Sequence, residues 1–203
     1  MGIPSTPNMG RIQFQTDLQA LNKAFSDVLK DHPFDSLTNQ ISVTTRPGHS
    51  DNVYDGVGSL FDYDKKQFWA HERDFTEIAD PFKNTSIASL AQIVKDRSPL
   101  PVGRIRFMRL KPKSCLSLHQ DTDLRLHIAV KSNPQCFFVF QDQGPIHMPC
   151  DGRLYWTNTL KFHSVFNGHD TEERIHMVFS TYEGQPGQFQ RFLARTQQPK
   201  PGQ

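Results

Sequence analysis

From Pro99 onward the chain reads as a succession of short strands: GRIRFMRL (residues 103–110), LRLHIAV (124–130), CFFVFQ (136–141), GRLYWTN (152–158) and RIHMVFSTY (174–182). Such segments, closely spaced and separated by turn residues, restrict this half of the chain to an antiparallel barrel or sandwich. Two of them alternate strictly. Side chains two residues apart share a face in an extended chain, so Leu124, Leu126, Ile128 and Val130 line one side while Arg125, His127, Ala129 and Lys131 line the other. Ile175, Met177 and Phe179 oppose Arg174, His176 and Val178 in the same way. A sheet solvated on one side explains one such strand. Two in succession, each led by Arg-x-His and preceded by a further histidine, make that explanation weaker.

Upstream the periodicity changes. FQTDLQALNKAFSDVLKDH places Leu18, Leu21, Phe25, Val28 and Leu29 at helical spacing, with Thr16 or Asp17 as the cap. NTSIASLAQIVKDR repeats the spacing with Ile87, Leu90, Ile93 and Val94. Between them lie short pieces broken by Pro and Gly. The expected fold class is mainly β with flanking helices, in a single domain over residues 1–203. Within it, residues 1–100 form a helical or irregular elaboration, 101–183 a β core and 184–203 a tail. The ends, to about residue 13 and from Arg195, are poor in apolar residues and are expected to fray.

Several functions are disfavoured by composition. No apolar run approaches the roughly 20 residues of a membrane-spanning helix. A net charge of +2 is too small to single out nucleic acid as the partner. GRIRFMRLKPK is basic, but it reads as a strand with a solvated edge. Cys115, Cys136 and Cys150 are odd in number and lack CxxC spacing, so reduced, buried thiols in a cytoplasmic protein without a secretory signal are expected.

The candidate chemistry gathers on the polar face. His119 and Asp121 are one residue apart, so in extended chain both project the same way. His163, 44 residues after His119 and just past the strand GRLYWTN, can supply a third ligand. Two histidines and a carboxylate on one face of an octahedral ion leave positions open, as in non-haem Fe(II) oxygenases. With zinc the same trio would make a hydrolytic site. Arg174, 11 residues beyond His163, favours iron, because a guanidinium can fork onto the distal carboxylate of 2-oxoglutarate. A metal- or acid-binding protein without turnover is a third reading of the same residues. Trp156 reads as packing, Asn167 as a turn residue, and His147 and His169 as surface or wall histidines; His176 shares the face of Arg174.

HQDTDLRLHIAV, YWTNTLKFHSVFN and RIHMVF, in that order, resemble the aspartyl/asparaginyl β-hydroxylase family of Fe(II)- and 2-oxoglutarate-dependent oxygenases, including its bacterial proline-hydroxylase-like members. The resemblance covers about residues 103–182, with no part seen in residues 1–100. It implies a double-stranded β-helix, the jelly-roll of cupin-like proteins. It also implies that His119, Asp121 and His163 bind iron, that Arg174 binds 2-oxoglutarate, and that Arg125 and His127 lie against this co-substrate. A co-substrate serine of the animal enzymes falls at Met108 here. The implied reaction uses O2 to hydroxylate an amino-acid side chain, free or in a peptide.

Overall fold

The computed structural model describes residues 6–196. Its strands are β1 (Met9–Gln15), β2 (Gln40–Ser42), β3 (Thr44–Thr45), β4 (Phe61–Asp62), β5 (Gln67–Phe68), β6 (Glu77–Ile78), β7 (Val102–Leu110), β8 (Ser114–Cys115), β9 (Arg125–Lys131), β10 (Cys136–Phe140), β11 (Gln143–Ile146), β12 (Arg153–Thr157), β13 (His163–Asn167) and β14 (Arg174–Thr181). The helices are α1 (Leu18–Leu29), α2 (Ser86–Arg97) and α3 (Gln188–Thr196). Among the described residues no helix is long and apolar enough to cross a membrane.

All five expected strands form, as β7, β9, β10, β12 and β14. They build a jelly-roll of two antiparallel sheets, the larger in the order β1-β12-β9-β14-β7-β2 and the smaller in the order β11-β10-β13-β8. Alternation decides which side of the large sheet is dry. Leu124, Leu126, Ile128 and Val130 join Ile175, Met177 and Phe179 in the main core, and Phe25 of α1 stacks on Phe107 of β7 with ring centroids 3.9 Å apart. Each fully buried side chain of this kind contributes about 1.5–3 kcal/mol. The opposite faces of β9 and β14 turn towards the small sheet.

Asp17 caps α1, its Oδ1 accepting from the Gln19 and Ala20 N–H groups at 2.9 and 3.0 Å. In α2 the buried set is Ile87, Leu90, Ala91 and Val94; Ile93, expected inside, is 39% exposed, because the helix contacts the sheet over a narrower arc than its apolar residues span.

The ends are more ordered than their composition suggests. Residues 9–13, expected to fray, belong to β1, which pairs with β12 from Met9 opposite Thr157 to Gln15 opposite Arg153. Backbone pairing at a sheet edge supplies the order that a polar sequence does not announce. Part of the expected tail is α3, which buries Phe189 and Leu193. Residues 1–5 and 197–203 of the expected frayed ends lie outside the described residues.

The stretch GRIRFMRL is not an edge strand. β7 lies between β14 and β2, and Arg104 and Arg106 are 3% and 2% exposed. Arg104 forks onto Glu72, with Nε to Oε2 at 2.8 Å and Nη2 to Oε1 at 2.6 Å. The turn that carries Glu72 packs so closely on β7 that a Cβ at Gly103 would come within 2.0 Å of the Glu72 carbonyl oxygen. All three cysteines are free; Cys136 is buried and Cys150 partly so, while Cys115, also expected inside, is exposed on the short strand β8.

Candidate metal and anion site

His119 and His163 are set side by side by the small sheet. Their backbones exchange hydrogen bonds, His119 N to His163 O at 3.0 Å and His163 N to His119 O at 2.8 Å, and the ring centroids are 4.4 Å apart. His163 comes just after β12, as expected, and begins a further strand, β13. Asp121 reaches the same spot because its N–H donates to Thr159 O at 2.9 Å, which keeps the chain alongside the segment leading to His163. One ligand atom from each of the three residues lies within 4.8 Å of the others.

The detail of this trio fits a cation. The Nδ1 of His119 lies 2.7 Å from Ser117 O and that of His163 lies 2.9 Å from Lys161 O. A carbonyl accepts only, so both rings carry a proton on Nδ1, which leaves Nε2 as the free lone pair of each neutral ring. The Nε2 atoms lie 3.9 and 3.7 Å from the Asp121 carboxylate oxygens. Asp121 Oδ2 is buried with no hydrogen-bond partner among the described residues. Two imidazole lone pairs and an orphaned carboxylate oxygen facing one another are donors without an acceptor, and a divalent metal satisfies all three.

Arg125 holds the carboxylate in place. Its Nη2 donates to Asp121 Oδ1 at 2.8 Å, and its Nε is 3.7 Å from Asp123 Oδ2. Burial works against this charge, but Asp121 and Asp123 outweigh it and keep the guanidinium above its usual range. Burial pushes Asp123 up to about 7. His127 and His176 are buried on the same face, with Nε2 of His127 at 3.1 Å from Thr157 Oγ1. Burial first, then Arg174, holds both well below the usual imidazole range.

Arg174 is 6% exposed and has no carboxylate within 4 Å among the described residues. Its Nη2 lies 3.0 Å from His176 Nδ1, and its guanidinium sits 5.0 Å from the ring centroid of Phe138. A guanidinium has no acceptor, so the bond requires a bare Nδ1 on His176. Burial brings Arg174 down to about 10, which leaves it cationic at neutral pH. Arg174, His119, His163, Arg125 and His127 line one cavity. Met108 is part of its wall, as are Thr38 and Gln40 from the N-terminal half, which the sequence did not mark.

Asn167 does more than end a turn. Fully buried, it donates from Nδ2 to Glu172 O at 2.8 Å and to two further carbonyls, tying β13 to the approach of β14. Trp156 packs in the main core as expected. His147 and His169 bond to nearby backbone, through Nδ1 to Cys136 O at 2.9 Å and from Glu172 N at 2.9 Å.

The sequence matches the family profile described as aspartyl/asparaginyl β-hydroxylase over residues 58–183, beginning well upstream of the motifs, in the segment that carries Glu72. No curated protein matches. Among solved structures, an oxidoreductase of the 2OG-Fe(II) oxygenase family from Burkholderia pseudomallei is 18% identical with a TM-score of 0.38, over 47% of this chain and 54% of that one. A Pseudomonas putida prolyl-4-hydroxylase is 11% identical with a TM-score of 0.48, over 87% and 94%. A viral collagen prolyl hydroxylase from Paramecium Bursaria Chlorella virus-1 is 10% identical with a TM-score of 0.47, over 88% and 98%. The chain thus spans about half the length of the Burkholderia protein.

Proposed function

The chain belongs to the aspartyl/asparaginyl β-hydroxylase family, whose chemistry uses Fe(II), 2-oxoglutarate and O2, and we propose that it hydroxylates a C–H bond of an amino-acid side chain, free or in a peptide. On this reading His119, Asp121 and His163 hold the iron, Arg174 holds the distal carboxylate of 2-oxoglutarate, and Arg125 and His127 flank the pair. When bound, iron would let O2 act as the oxidant, one oxygen atom going into the substrate C–H bond and the other into 2-oxoglutarate, which leaves as succinate and CO2.

One observation carries the reading. A buried guanidinium with no carboxylate partner among the described residues lines the same cavity as His119 and His163, whose Nε2 atoms meet the orphaned carboxylate oxygen of Asp121. An unpaired buried charge is costly, so its place in the cavity wall is explained by an anion that arrives from outside. A zinc hydrolase would leave Arg174 without a role.

The chain's own groups then divide the work. Arg125 fixes the Asp121 carboxylate, so that its free oxygen points towards the histidines. His176 fixes the plane of the Arg174 guanidinium. Phe138, Leu116 and Val165 line the cavity with apolar surface and keep water from the reacting centre. The chain serves as one catalytic domain, in which residues 101–183 carry every proposed ligand and the preceding hundred residues help wall the cavity. Three free cysteines suit a reducing, cytoplasmic setting.

The test is a succinate-release screen over free amino acids and peptides with Fe(II), ascorbate and 2-oxoglutarate. Substrate-dependent release is expected, abolished by Asp121→Ala and by Arg174→Ala. Unchanged turnover in either variant would overturn the corresponding assignment.

A further inference from the structure

Arg174 has a counterpart that the proposed cofactors do not use. Arg106 is also buried without a carboxylate within 4 Å among the described residues, and the nearby acids are engaged elsewhere, Glu72 by Arg104 and Asp123 by Arg125. Arg106 Nη1 donates to Gln40 Oε1 at 2.7 Å, and its more distant contacts are Gly58 O and Ser180 Oγ, each at 3.4 Å. Gln40 Oε1 accepts a second bond from Gly58 N at 3.0 Å. Both partners of Oε1 are obligate donors, so the amide has one orientation. Its NH2 group bonds to no described residue, and Gln40 lines the cavity.

The placement suits a second ligand beside the first. Gln40 of β2 pairs with Met108 of β7, which pairs with His176 of β14. β2 is therefore two strands from the one that bears Arg174, roughly 10 Å at the usual strand spacing. Gln40 also lies upstream of the residues that match the family, 58–183.

We propose that Gln40 is the substrate-positioning residue of this cavity and that it reads a carboxylate on the substrate, with Arg106 behind it supplying the positive charge. An amide donor backed by a buried cation favours an anionic acceptor; an apolar group in its place would leave the NH2 unpaired and the cation uncompensated. The carboxylate has two possible sources, the α-carboxylate of a free amino acid or an acidic side chain in a peptide. The proposal rests on the oxygenase reading.

Gln40→Glu keeps an oxygen for Arg106 and Gly58 and replaces only the unbonded NH2, so the fold has no reason to change while, on this proposal, carboxylate now faces carboxylate. The full chain is loaded anaerobically with Fe(II) and 2-oxoglutarate, and the visible charge-transfer band of the chelated keto acid is followed as probes are added. The probes are the free L-amino acids, their α-carboxamides, and short peptides with an internal Asp or Glu against the same peptides with Asn or Gln. Tighter binding of the acid than of its amide, by about tenfold or more, is expected in one arm, and that arm identifies the source. Gln40→Glu is expected to weaken the same acid by about tenfold or more while the affinity for 2-oxoglutarate moves less than about threefold, a split that general loosening would not give. Equal binding of acid and amide, no response to any acid, or undiminished binding in Gln40→Glu overturns the proposal alone. Absence of the band in the unmodified protein overturns the oxygenase reading, and this proposal with it.

Discussion

Arg104 and Arg174 are buried guanidiniums of one sheet, satisfied in opposite ways. Arg104 is closed: Glu72 takes two of its nitrogens, and the carbonyls of Gly56 and Gly58 accept from the third at 2.5 and 3.0 Å. Arg174 is open, with one imidazole nitrogen and the face of a phenyl ring for company. A closed pair ties chain segments together, because removing either partner strands the other. An open charge lowers the stability of the empty protein and has meaning only when something anionic arrives.

Replacing each arginine by an apolar residue of similar length therefore gives opposite outcomes. Arg174→Met should reduce 2-oxoglutarate turnover by about 10²–10³-fold, the loss expected when one side of a buried charge pair is truncated, yet leave the metal-free protein as stable as before or about 1–3 kcal/mol more so. Steady-state kinetics and urea unfolding of the one variant measure both. Arg104→Met should do the reverse, destabilising the fold by about 3 kcal/mol because Glu72 loses its partner. Destabilisation by both substitutions alike would break the distinction.

The open side also carries a pH signature. His127 and His176 are kept neutral in the fold by burial and by Arg174, whereas in the unfolded chain they protonate near 6.5. The unfolded state binds more protons below that point, so stability present above about pH 6.5 is lost as pH falls, at up to roughly 1.4 kcal/mol per pH unit for each histidine. Urea midpoints from pH 8 to pH 5 record the slope, and His176→Phe should reduce it. The smallest effect belongs to the dry face: Asp17→Ala removes the cap of α1, and thermal unfolding should show a loss of about 1 kcal/mol with turnover unchanged.

What the sequence revealed follows the range of the physics. Period-two alternation is local, so the two faces of β9 and β14 were legible residue by residue, and so was the convergence of His119 with Asp121. His163 and Arg174 were placed by spacing and resemblance, and they line the same cavity. The arginines of β7 were misread because their satisfaction is remote: Glu72 is 32 residues from Arg104 in the chain, and Gln40 is 66 from Arg106. Nothing in a window around either arginine distinguishes a solvated charge from a buried one. β1 and α3 escaped for a related reason, since a polar strand at a sheet edge and a short helix held by two apolar residues owe their order to what they pack against.

Anaerobic equilibrium dialysis against Fe(II) tests the centre of the account most directly. One ferrous ion per chain is expected for the unmodified protein, with binding lost in Asp121→Ala and in His163→Ala while Arg174→Met still binds one. Iron binding that survives both ligand substitutions would mean that His119, Asp121 and His163 are not the metal site.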